Sequence, residues 1–211
     1  MADIQHKNIA DSDRHEPKGA STAAAGQVYV SDGAGSGSWQ TPAQGSKVLL
    51  STQTAANSAA ISFTSLITST YSTYEIEFYQ VRASAGNPGL LLLTSTNNGS
   101  SYNTTGYSAT SALYNNVGGG TAPTYTSASG AGFILAANAS IIASTAANGT
   151  VKLLGLTNGT TYKNITATTF NGDNCEKVDG YRGTVTAINA VRIEFDSGNI
   201  AAGTFKLYGI V

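Results

Sequence analysis

The sequence predicts an all-β protein, an antiparallel β-sandwich of jelly-roll type preceded by an extended N-terminal arm. Three observations predict it. Short apolar or alternating runs recur along the chain with turn chemistry between them. Beyond residue 45 no stretch sustains the 3.6-residue apolar period of a helix. The first 18 residues hold both histidines and seven of the 23 charged groups, so they differ in kind from the polar, low-charge chain that follows.

The elements follow in order. Residues 1–40 form the arm and a Gly-rich linker, and residues 41–211 the displayed body. An arm so rich in charge and poor in large apolar groups cannot bury enough surface to order itself alone, so it is expected to order on another protein. Within it, residues 27–31 read as one extended piece, and DGAGSGSW at 32–39 turns the chain. Trp39, the single tryptophan, is expected to anchor the junction of arm and body.

Strands are expected at 47–54, 60–63, 74–82, 90–93, 132–136, 150–154, 161–170, 190–196 and 204–211. The clearest is YEIEFYQVR, where Tyr74, Ile76 and Phe78 face one way and Glu75, Glu77 and Tyr79 the other. Leu90 to Leu93 is apolar throughout, as a strand covered on both faces would be. Asn98-Gly99, Asn148-Gly149, Asn158-Gly159 and Asn171-Gly172 supply the positive φ angles of tight turns. Residues 100–130 are the loosest part, a strand pair with long loops or a surface elaboration.

Composition narrows the function. Only 11% of residues are charged and the net charge is −1, so no electrostatic footprint for nucleic acid exists. No apolar run approaches a membrane span, and the N-terminus lacks a secretory signal pattern, so synthesis in the cytoplasm without membrane insertion is expected. Cys175 is the single cysteine, which removes an intrachain disulfide framework.

The motifs that carry chemistry read as structure. Gly33 to Gly37 lacks the buried strand and following helix of a phosphate loop and reads as a turn. His6 and His15 lie far in sequence from Cys175, so no Cys-His dyad is expected, and the body holds no histidine to bind zinc or activate a serine. Glu75 and Glu77 stand about 7 Å apart along a strand face, the separation of an inverting glycosidase. A solvated face, with Arg192 and Lys206 available as partners, is the simpler reading. Asp173, Glu176 and Asp179 read as a charged loop tip without EF-hand spacing. No catalytic residue, metal or cofactor is expected. Tyr102, Tyr107, Tyr114 and Tyr125 are the candidate glycan contacts, because tyrosine offers an apolar face and a polar tip.

The arm HKNIADSDRHEPKGASTAAAGQVYVSDGAGSGSW resembles the N-terminal segment of small tailed-phage virion proteins labelled tail-fibre, head-fibre or structural proteins. In them a His-x-x-Ile arm and a His-Glu-Pro-x-Gly-Ala motif lead to a Gly-rich turn and a tryptophan. ISFTSLITSTYSTYEIEFYQVRAS is similar to their core, and GTFKLYGIV to their closing strand. The resemblance covers roughly a third of the chain. It implies a non-enzymatic homotrimeric β-sandwich on the virion surface, with Ile4, His6, Ile9, Asp13, Arg14, His15, Glu16 and Pro17 docking on other virion proteins. The chain lacks any fibre shaft, which fits a capsid-attached head fibre or decoration. A tail-fibre module that recognises host surface glycan is the alternative.

Overall fold

The computed structural model describes residues 19, 22–42, 46–115, 124–128, 130–136, 145–172 and 174–211, with the backbone alone at 115 and 124–128. The chain divides into two compact units, Met1–Gly45 and Ser46–Val211.

In the first unit, β1 (Val28–Ser31) and β2 (Gly37–Gln40) form an antiparallel hairpin. The sequence anticipates β1 and the turn; β2 is new, because GSWQ carries no alternation that marks a strand. Asp32 closes the loop: its Oδ1 accepts from Ala34 N at 2.8 Å and Ser36 N at 3.0 Å, and these backbone donors hold its carboxyl below the usual range. Tyr29 and Trp39 stand opposite each other with ring centroids 5.4 Å apart and planes at 66°, an edge-to-face pair.

The second unit is an antiparallel β-sandwich. Its strands are β3 (Lys47–Ser58), β4 (Ala60–Thr64), β5 (Thr73–Ala83), β6 (Leu90–Ser95), β7 (Tyr107–Asn115), β8 (Thr124–Ala128), β9 (Phe133–Ala136), β10 (Ala147–Leu154), β11 (Lys163–Asn171), β12 (Asn174–Arg182), β13 (Ala190–Phe195) and β14 (Ile200–Ile210). Eight of them form one sheet in the order β3-β14-β5-β10-β11-β12-β7-β8, and four form the other, β4-β13-β6-β9. Up to β7 the chain alternates between the sheets, as in a jelly roll; the meander β10–β12 then widens the larger one. The crossing from β3 to β4 needs a sharp corner, and Asn57 makes it at φ 55°, with Asn199 Nδ2 donating to its carbonyl at 3.2 Å.

Alternation explains the core. On β5, Tyr74, Ile76 and Phe78 are fully buried, as the pattern predicts. They meet Phe205 and Leu207 of β14, Val151 and Leu153 of β10, and Ile61, Phe63, Leu92 and Ile193 of the small sheet in one cluster. Burial of a ring such as Phe78 contributes about 2–3 kcal/mol relative to exposure. Buried polar tips are satisfied. Tyr74 Oη accepts from Thr68 N at 2.8 Å and donates to Thr68 O at 2.7 Å.

Several expectations are corrected. Asn148-Gly149 is no turn but lies inside β10, where a Cβ at Gly149 would run into Thr168 O and the Phe78 ring. That glycine serves close packing rather than a bend. Asn158-Gly159 lies in the β10–β11 connection, where the positive φ falls on Gly155 instead. Asn98-Gly99 is a true turn, with φ 55° and 85°. The β11–β12 hairpin pairs Asn171 with Asn174, so its loop begins at Gly172, at φ 54°. Beyond it, residues 174–182 are strand β12 and not a charged loop. Residues 100–130 do contain a strand pair, β7 with β8.

Candidate binding face

One face of the eight-stranded sheet packs on the core, and the other is set with alternate residues of the same strands. Register brings those residues into rows. One row runs Leu49, Tyr208, Glu75, Lys152, Thr166, Asp179 and Thr110 from β3 to β7. The next runs Thr52, Lys206, Glu77, Thr150, Thr168, Lys177 and Ala112. Threonine suits such a surface because its branched Cβ favours extended backbone while its hydroxyl stays hydrated. Most of the large apolar side chains that remain exposed among the described residues of this unit gather here as well, namely Leu49, Tyr79, Tyr114, Leu154, Phe170 and Tyr181, while Tyr162, Val185 and Val211 lie off the strands. Tyr162 stacks on Tyr181 at 5.5 Å with planes 11° apart.

The charged part of the face is a knot around Lys47. Its Nζ donates to Glu75 Oε1 at 2.6 Å and to Glu77 Oε1, and lies 4.3 Å from the Tyr208 ring centroid. Tyr79 Oη donates to the other Glu77 oxygen. Burial works against the charge on Lys47, but the two carboxylates outweigh it and hold the amine well above its usual range. Burial likewise opposes ionisation of Glu77, and the hydrogen bonds from Lys47 and Tyr79 outweigh it, so its carboxyl is held below the usual range. The Glu77 carboxylate, with burial second, pushes the Tyr79 phenol up to about 12. The partner is Lys47, not Arg192, which sits on β13 with its Nε 2.8 Å from Glu194 Oε2. Lys206 stands opposite Glu77 in register but lies over the Tyr79 ring at 5.7 Å.

The sequence-derived candidates scatter. Ile4, His6, Ile9, Asp13, Arg14, His15, Glu16 and Pro17 lie outside the described residues. Trp39 is half-buried in the first unit against Tyr29. Tyr107 is corrected from a surface contact to a core residue, 3% exposed, whose Oη accepts from Thr94 N at 2.8 Å and donates to Asn103 O at 3.1 Å. Tyr102 sits over the outer face of the small sheet, its ring 4.4 Å from the Arg192 guanidinium. Tyr114 is exposed on the large face, and Tyr125 pairs in register with Ala112 on the neighbouring strand. Glu176 is buried and Asp179 exposed on opposite faces of β12, while Asp173 is outside the described residues, so the acids do not converge. Among the described residues no group of His, Cys, Asp and Glu is placed to hold a metal ion.

One residue of the face and one structural residue carry no signal in the sequence. Phe170 reads in the sequence only as the end of a strand, and it is among the most exposed apolar side chains of the body. Lys163 is fully buried at the start of β11, with Nζ donating to the carbonyls of Asn158 and Thr161, and burial lowers its pKa. The lysine thus ties the β10–β11 connection to the sheet end.

Comparison with protein-family models, with curated proteins and with solved structures yields no match for this chain.

Proposed function

We propose that the chain is a non-enzymatic structural protein of a tailed-phage virion, a capsid-attached head fibre or decoration that docks by its N-terminal arm and displays the sandwich. The observation that supports this reading is the division at Gly45: the charged N-terminal segment belongs to one unit and a sandwich with its own core to the other. Such a body does not need the arm to fold, so the arm is free to serve attachment. Made in the host cytoplasm, the protein would reach the virion surface by assembly. As a homotrimer, it would convert three weak arm contacts into one firm attachment through effective concentration.

Deletion of residues 1–45 tests it. The remaining body should melt cooperatively at a little-changed temperature and fail to attach to particles. A truncated body that attaches as well as the full chain would sink the reading. Sedimentation of the full chain decides the trimer, and a clean monomer at micromolar concentration speaks against it.

A second reading, a tail-fibre module that recognises host surface glycan, is favoured by one observation: the aromatic side chains left exposed on the large sheet. Adsorption blocking by the purified protein separates it from a decoration.

A further inference from the structure

Five strands of the large sheet bring three exposed rings into one line. Tyr79 stands at a bulge of β5, where Gln80 takes φ 54° and its N donates to Asn148 Oδ1 of β10 at 3.0 Å. Asn148 pairs with Phe170 of β11, Phe170 with Cys175 of β12, and Cys175 with Tyr114 of β7. Tyr79, Phe170 and Tyr114 are 40%, 53% and 41% exposed. They occupy every second strand, so adjacent rings are about 10 Å apart, twice the spacing between strands. That interval is the length of two equatorially linked pyranose rings in an extended chain. The C–H face of a sugar stacks on an aromatic ring as an apolar surface does, with its hydroxyls directed to the flanks. Here the flanks offer Asn148 between the first two rings and the hydroxyls of Thr150 and Thr168 in the adjoining row.

Charge narrows the sugar. Lys206 Nζ lies 5.7 Å from the Tyr79 ring centroid and Lys177 Nζ 5.9 Å from that of Tyr114. Neither has an ion-pair partner among the described residues, whereas the nearby Glu75 and Glu77 are both held by Lys47. Each end of the ring line thus carries a lysine outside any ion pair among the described residues. The shape of the sheet narrows the ligand further. Twist of about 20–25° per strand turns successive rings by about 45°, so a flat crystalline surface would meet one ring, while a single flexible chain can follow all three.

We propose that the outer face of the eight-stranded sheet binds one extended chain of an anionic, β-linked polysaccharide, laid across the strands on Tyr79, Phe170 and Tyr114. The inference rests on the glycan-recognising reading above and supplies its residues and ligand class.

Calorimetric titration of the full chain with β-1,4-linked oligomannuronates from two to about eight sugars tests it. Affinity should climb up to about five sugars, the length that spans three rings at the strand-set interval, and then level off. Phe170→Ala should weaken binding about tenfold, the worth of one aromatic stack, and Phe170→Tyr should preserve it. Lys177→Ala with Lys206→Ala should flatten the salt dependence. Cys175, free and half-exposed between Phe170 and Tyr114, should react more slowly with a maleimide when the oligosaccharide is bound. No binding, affinity indifferent to chain length, an unaffected Phe170→Ala or equal affinity for soluble hydroxyethyl cellulose would each overturn the proposal. So would dissociation of an oligomer by Phe170→Asp without glycan binding, which would assign the face to a second copy of the chain. Particle attachment by the arm is measured separately, so the two readings fail independently.

Discussion

The sandwich has two outer faces, and the chain treats them differently. On the small sheet, Leu93 points away from the core yet is only 1% exposed, and the Arg192 guanidinium beside it is covered by the Tyr102 ring from the β6–β7 connection. On the large sheet, Phe170 and Leu49 remain more than half exposed. The same polypeptide therefore can cover an outward apolar side chain with its own loop, and does so on one side. Exposed apolar groups gathered in rows on the other side are the observation on which the proposed glycan reading rests.

The sharpest way to break this comparison is to cross between faces on a single strand. Phe78→Ala, on the core side of β5, should cost about 3–5 kcal/mol in denaturant unfolding. Tyr79→Ala, the next residue on the open side, should change stability by at most about 1 kcal/mol. Equal losses would mean that Tyr79 is covered in solution. A smaller effect is expected at Tyr107→Phe, which leaves Thr94 N and Asn103 O without their bonds and should cost about 1–3 kcal/mol. Arg192→Ala removes the group on which Tyr102 rests and should cost about 1 kcal/mol while raising quencher access to tyrosine.

Smallest of all is the acid dependence of the Lys47 knot. The folded protein holds the Glu77 carboxyl below its ordinary value of 4.5, so the unfolded chain binds more protons in the window beneath that value. The stabilisation is complete above about pH 5 and is lost as pH falls through the folded value. In Glu77→Gln the slope of stability against pH between about 5 and 3 should be shallower than in the parent protein.

Legibility tracks alternation. YEIEFYQVR announces β5 because every second residue is large and apolar, and the structure buries Tyr74, Ile76 and Phe78 as read. NCEKVDGYR conceals β12 because one of its inward positions is Glu176, and YSATSALYN conceals β7 because two of its inward residues, Ala109 and Ser111, are too small to mark an apolar alternation. The four candidate tyrosines are not sorted by sequence, since Tyr102, Tyr107 and Tyr114 are the same residue type but go to a covering loop, the core and the open face. The line of Tyr79, Phe170 and Tyr114 was beyond reach for a further reason. It depends on the register of five strands, and nothing local in any one of them records its neighbours' offset.

The pairing of β3 with β14 has a mechanical side. Among the described residues β3 is the edge strand of the large sheet, with β14 its one neighbour there, and Val211 N donates to Ser46 O at 3.1 Å where the two ends meet. Tension applied between residues 46 and 211 would open that ladder as a zipper, breaking its bonds one after another at low force. Tension applied to residue 46 along the axis of β3, against a hold on the far strands, would instead shear the whole ladder from Lys47 to Ser58 at once. A load on Phe170, three strands beyond β14, takes the second path. The sandwich should therefore yield early when pulled by its two ends and late when its open face is held and its N-terminal edge is drawn away.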